Sequence, residues 1–237
     1  MLERLEKLQR LRGALSGSNG RNAGDEADFK ARLKDVKTWQ QRRLARTYAD
    51  LAADHRYAPA TAFFLDELYG VKDSTIRDRD LTRMYPTMKR LLPKFAFDAV
   101  DKALELDVLA EEFDQALAMA LDSQPITEAS YLNAFRKVGR REDRLRQIAL
   151  MRAVGEGLDR MVKKPLIFST LKMLRRPAKV AGLGEMQQFL ETGFTAFRHM
   201  NGAAYFLETI ASRETVLIDR IVNGEADPFS VIGEWNA

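Results

Sequence analysis

Glu191, Arg198 and Tyr205 stand seven residues apart in an otherwise apolar segment, with Asn201 and Glu208 beside them. Seven residues is close to two turns of α-helix, so these side chains form one polar line along a helix that is apolar elsewhere. The line could face solvent, make a structural Arg-to-Glu pair, or wall a pocket. In a pocket, Arg198 would clamp a carboxylate or phosphate, Tyr205 would orient it, and Glu191 and His199 would complete the wall. The ligand such a wall admits is anionic, lipid-like or a tetrapyrrole, for which one imidazole suffices as an axial ligand.

Other chemistries find no residues to carry them. The chain has no cysteine and two histidines, His55 and His199, neither in the spacing that puts metal ligands on one helix face. Gly182-Leu183-Gly184 lacks the third glycine, the preceding strand and the later acid of a dinucleotide fingerprint. There is no Walker-type lysine motif and no Gly-x-Ser-x-Gly elbow. The sequence therefore implies no catalytic residue, no resident metal and no cofactor.

A second pattern concerns charge. The net charge is only +4, but it is unevenly spread. Residues 94–129 hold two lysines against nine acids, residues 136–179 hold fourteen Lys/Arg against four acids, and residues 185–237 hold three arginines against eight acids. The blocks could answer one another across helix faces within the fold, or each face could be solvated. Alternatively the basic block, from Arg136-Lys137 through Arg140, Arg141, Arg144, Lys163 and Lys164 to Lys179, forms a face that attracts an acidic protein or another polyanion. No helix-turn-helix or RNA-binding signature accompanies it, which argues against sequence-specific DNA recognition.

These residues need helices to position them. Leu2, Leu5, Leu8, Leu11 and Leu15 predict an amphipathic helix over 1–15, and the Gly/Ser/Asn run 16–24 predicts a flexible tether. The leucine stripe could dock on its own domain, pair with a second copy as a homodimer, or hold a partner. Residues 25–237 read as one domain. Within it, helices are predicted over about 28–55, 59–68, 73–92, 95–121, 127–139, 141–162 and 165–177, bounded by Pro59, Gly70, Pro93, Thr127, Gly139, Pro165 and Pro177. A final long helix over about 185–222 carries the most continuous apolar stripe, so it is predicted to be central and buried, His199 included, with Gly202 as a potential bend. After it, residues 225–237 are predicted to dock without regular structure. No stretch alternates with period two, so the fold class is all-α, a multi-helix bundle of about eight helices with a tethered N-terminal helix.

The stretch Phe63-Phe64-Leu65-Asp66-Glu67-Leu68-Tyr69-Gly70, with Lys72-Asp73 and Arg77-Asp78, resembles the Phe-Phe-x-x-x-Leu-Tyr-Gly signature of a family of uncharacterised bacterial helical proteins. Met173-Leu174-Arg175-Arg176-Pro177-Ala178, Gly193-Phe194-Thr195-Ala196-Phe197 and Arg213-Glu214 resemble the same family. The resemblance spans about 50–228 and implies a bacterial, cytoplasmic, helical protein with no assigned activity. The signature itself reads as structural, with Phe63, Phe64 and Leu68 anchoring a short helix, Tyr69 covering its end and Gly70 taking a left-handed C-terminal position.

The start of the chain lacks a secretion-type apolar core, and no run approaches the length of a membrane span, which points to the cytoplasm. The leading expectation is thus a non-enzymatic binding or interaction protein with a basic face at about 136–179. The alternative is a small-molecule protein or enzyme with an internal pocket walled by the last helix.

Overall fold

In the computed structural model, residues 1–13, 23–68, 80, 82 and 94–236 are described. Among them are twelve α-helices, a π-helical turn and no strand. The expected helix over 73–92 apart from residues 80 and 82, the Tyr69-Gly70 end of the signature and most of the expected tether lie outside the described residues.

The longest helix, α5 (Lys94–Leu121), is the axis on which α1 (Leu2–Gly13), α2 (Ala23–Thr47), α6 (Glu128–Val138) and α7 (Arg141–Val162) are packed. Its acidic character explains why. Arg4 pairs with Asp101 and Glu105, Lys7 with Glu112, and Arg12 with Asp107, while Leu5 and Leu8 are fully buried beneath them. The middle of the leucine stripe of α1 is thereby taken up within its own chain, while Leu2 stays 43% exposed. Apolar burial drives this docking, and the ion pairs set its register.

Local signals account for the well-defined ends. Thr127 and Ser130 form a reciprocal capping box at the start of α6: the Ser130 amide donates to Thr127 Oγ1 at 3.2 Å and the Thr127 amide to Ser130 Oγ at 2.9 Å. Such a cap contributes about 1 kcal/mol. Gly139, at φ +62°, ends α6, and the chain turns directly into α7.

Several expected helices are divided. The segment 28–55 starts earlier and splits into α2 and α3 (Ala49–Ala53) at Tyr48. The signature segment is α4 (Ala58–Phe63) continued by the π-helical turn Phe64–Leu68. Phe63 and Phe64 are buried as expected, and a Cβ at Gly193 would lie 2.8 Å from the Phe63 ring, so this glycine is what admits the ring between helices. The segment after Pro165 is two short helices, α8 (Pro165–Met173) and α9 (Arg175–Val180), and the C-terminal segment ends in a short helix, α12 (Val231–Trp235).

The expected single helix over 185–222 is corrected to α10 (Gly184–Met200) and α11 (Ala204–Val222). Asn201 and Gly202 adopt positive φ, and two distant side chains serve the broken ends. Arg56 Nε donates to the Met200 carbonyl at 2.7 Å, and its Nη2 to the Asn201 carbonyl at 3.2 Å. Asp159 accepts the Ala203 amide at 3.2 Å. The groups exposed by the break are paired across the bundle, which stabilises a bend that helix propensity alone opposes.

α11 crosses the interior of the whole molecule. Its Leu217, Ile218 and Ile221 join Leu33, Val36, Leu117, Tyr131 and Phe135 in one core cluster. Its Phe206, Leu207 and Ile210 join Leu44, Tyr48, Phe63, Phe197 and Met200 in the other. Arg213, also buried, holds Asp50 with two bonds of 2.8 and 2.7 Å and donates to the Thr47 carbonyl. Glu214 accepts from both Arg43 and the Tyr48 hydroxyl. The Arg213-Glu214 pair thus ties α11 to α2 and α3.

Candidate functional site

The bend between α10 and α11 separates the polar line expected over 191–205. Glu191, on α10, is bound by Arg175, with Nε to Oε1 at 2.9 Å, and by Gln187 Nε2 at 2.8 Å. The Arg175 hydrogen bonds hold its carboxyl well below the usual carboxylate range. Arg198 lies over the Phe168 ring of α8 at 4.9 Å. His199 is exposed rather than buried, and its Nε2 lies 3.0 Å from the His55 carbonyl, with the two imidazoles 5.1 Å apart. That pairing joins residues 144 positions apart and has no local sequence signal. Tyr205, on α11, stands 59% exposed near Tyr57.

Tyr205 does line a cleft of about 510 Å³ at the bend, together with Arg152, Glu156, Asp159, Arg160, Leu207 and Glu208. The cleft opens to solvent, and Glu191, Arg198 and His199 are not among its lining residues. The expected four-residue wall is therefore not assembled as one site.

The basic block divides more sharply. On α7 and at its ends most of these charges are paired within the chain, with Arg160 an exposed exception that meets no carboxylate among the described residues. Arg140 pairs with Glu112 at 3.1 Å and Asp143 at 2.7 Å, Arg141 with Asp219 at 2.7 Å, and Arg146 with Glu105 at 2.7 Å. Arg152 reaches Glu208 at 2.8 Å, and Lys163 reaches Asp159 at 2.5 Å. The acidic blocks on α5 and α11 supply most of these counter-charges, and Asp143 and Asp159 of α7 itself supply the rest.

Arg144, expected on the outer face, is instead 6% exposed. Its guanidinium lies between the Phe113 and Phe135 rings at 4.2 and 3.6 Å, and its Nε donates to the Gly139 carbonyl at 3.2 Å. Its Nη2 has no hydrogen-bond partner. A stacked, planar cation is tolerated here because the ring faces are electron-rich, yet desolvation lowers its pKa to about 10. Close by, burial raises the Asp114 carboxyl to about 7, against the pull of Lys37, and raises the Tyr131 phenol. Sequence periodicity did not single out this interior polar group. The only local hint was a run of charges at helix positions that the apolar stripe also needs.

On α8 and α9 the charges stay outside. No acidic residue occurs between Asp159 and Glu185. Among the described residues, Lys164, Arg176 and Lys179 pair with no carboxylate, and Lys172 rests over Phe168 at 4.4 Å. No residue from 166 to 181 is buried. Leu166, Met173 and Val180 are 80%, 79% and 90% exposed, and Leu174 is 49% exposed. The pair is held from beneath by half-buried Ile167, Phe168 and Leu171, by the Gln187 bond to the Leu171 carbonyl at 2.6 Å, and by Arg175 on Glu191. Of the residues expected to face a partner, Lys164 belongs to this surface. Arg176 and Lys179 were expected on it as the end of the basic block, whereas the exposed apolar Leu166, Met173, Leu174 and Val180 were not, although the absence of acids over 160–184 marks the segment.

A family model described as "Domain of unknown function (DUF8198)" matches residues 19–228. The chain belongs to this family. No curated protein and no solved structure matches it. No helix among the described residues is long and apolar enough to cross a membrane, and no three potential metal ligands come together among them. The family description carries no activity, so function rests on the surfaces just described.

Proposed function

We propose that the protein is a non-enzymatic docking protein of the bacterial cytoplasm, and that it engages an anionic partner through a basic face whose effective part is the α8–α9 pair. The observation that carries this reading is the coexistence, on one protruding surface, of unpaired Lys164, Arg176 and Lys179 with large exposed aliphatic side chains. Free cations steer an anionic partner at long range, whereas cations already paired within the chain add little to its field. Arg140 and Arg141 belong to the same basic block and act chiefly by holding α7 to α5 and α11, while Lys163 is answered by Asp159 one turn back on α7.

The test is binding to a soluble polyanion such as heparin or polyglutamate at low salt. Lys164→Glu/Arg176→Glu/Lys179→Glu should abolish retention, while Arg140→Glu/Arg141→Glu should leave most of it. Negligible affinity for every polyanion tested would overturn the reading. A second reading, small-molecule binding, is favoured by the cleft at the bend, where Arg160 and Tyr205 could receive a small anion. Co-purification of a ligand lost on Arg160→Ala would support it.

A further inference from the structure

We infer that the partner of the α8–α9 surface is an anionic lipid interface, on which this short helical pair lies with its aliphatic side chains inserted. The inference rests on the docking reading above and names its partner.

The pattern of the surface argues for lipid. Leu166, Met173 and Val180 are seven residues apart, and each follows a cation within two positions: Lys164, Lys172 and Lys179. Apolar side chains thus point outward beside ammonium groups on long, flexible stems. At a bilayer surface the aliphatic ends enter the headgroup boundary while the stems snorkel to anionic phosphates. Arg176 adds a further charge to the same segment, and no carboxylate within it repels the lipid.

The relief of the surface argues in the same direction. At 79–90% exposure, Leu166, Met173 and Val180 are projections and do not line a groove. They are also divided between helices of nine and six residues that meet at Leu174. A partner protein would need a separate pocket for each projection, whereas a fluid interface deforms around them. A second copy of this chain fits poorly, because a two-fold contact would set like charges against like. The attachment to α10 through Phe168, Leu171 and Gln187 keeps the pair presented without a membrane-spanning element.

The full chain should be tested by co-sedimentation with vesicles of phosphatidylcholine alone and of phosphatidylcholine with an equal part of phosphatidylglycerol, at low and moderate salt. Binding to the anionic vesicles only, weakened by salt, is the expected result. Lys164→Glu/Arg176→Glu/Lys179→Glu should weaken it about a hundredfold. Leu166→Ser/Met173→Ser/Val180→Ser should weaken vesicle binding at least about tenfold and leave heparin binding unchanged, since only lipid rewards insertion. All six positions are solvent-facing, and unchanged melting curves would verify folding. Retention on heparin or polyglutamate without vesicle binding would overturn the lipid assignment and leave the docking reading standing, with an acidic macromolecule as partner. Binding to none of these probes would overturn both. Vesicle binding that neither triple variant reduces would place the lipid contact elsewhere and overturn the assignment to α8–α9.

Discussion

α7 and the α8–α9 pair are neighbours in sequence, are both rich in Lys and Arg, and are treated in opposite ways by the fold. α7 lies between the acidic faces of α5 and α11, and Arg140, Arg141, Arg146 and Arg152 each find a carboxylate there. The pair α8–α9 packs chiefly on α10, where Glu191 answers Arg175 and leaves Lys164, Arg176 and Lys179 unanswered. Charge sign is therefore a poor guide to a binding face, and the charge left over after internal pairing is a better one.

The contrast should be sharpest in packing. A Cβ at Gly155 of α7 would collide with the Leu207 side chain, so Gly155→Val should destabilise the protein by about 3 kcal/mol. Val180→Ser on α9 should stay within about 0.5 kcal/mol. Equal losses in chemical denaturation would erase the distinction between an embedded helix and a displayed one. Next in size is binding: reversing Lys164, Arg176 and Lys179 should lower polyanion affinity about a hundredfold, and reversing Arg140 and Arg141 less than tenfold. The order reversed would return the docking face to α7.

The interior charges near α7 give two smaller effects. Asp114 is raised to about 7 from an ordinary 3.8, so the folded state holds a proton that the unfolded state releases. Its stabilising contribution is complete below about pH 3.8 and is lost as pH rises to about 7. Asp114→Asn should remove that loss, giving a gain of order 2 kcal/mol over the native protein at pH 8 and little difference at pH 4. A constant difference at both pH values would show that Asp114 does not titrate in this way. Smallest is Arg144→Met: a buried cation without a carboxylate partner exchanged for an apolar chain should be neutral or stabilising by about 1 kcal/mol. A loss of several kcal/mol instead would mean that the stacking of Arg144 on Phe113 and Phe135 outweighs its desolvation.

Much of the helical skeleton was legible because its signals are local. Thr127, Gly139 and Pro165 punctuate the chain where they were expected to, and 141–162 is one helix as predicted. The bend at 201–203 was legible only as a suspicion at Gly202, since what holds it open is Arg56 and Asp159 from remote parts of the chain. For the same reason the line Glu191, Arg198, Tyr205 looked like one wall. A seven-residue spacing has that meaning only while the helix is continuous. The burial of Arg144 escaped because cation stacking between Phe113 and Phe135 joins three helices and leaves no periodic trace.

By itself the sequence determined an all-α protein, the apolar stripes of its helices and the segregation of charge into blocks, since helix period, capping and composition act over a few residues. Tertiary structure alone decided which charges meet, because pairing depends on helices that lie far apart in the chain and side by side in space. That geometry spent most of the positive charge of α7 on the fold and left most of that of α8–α9 facing outward.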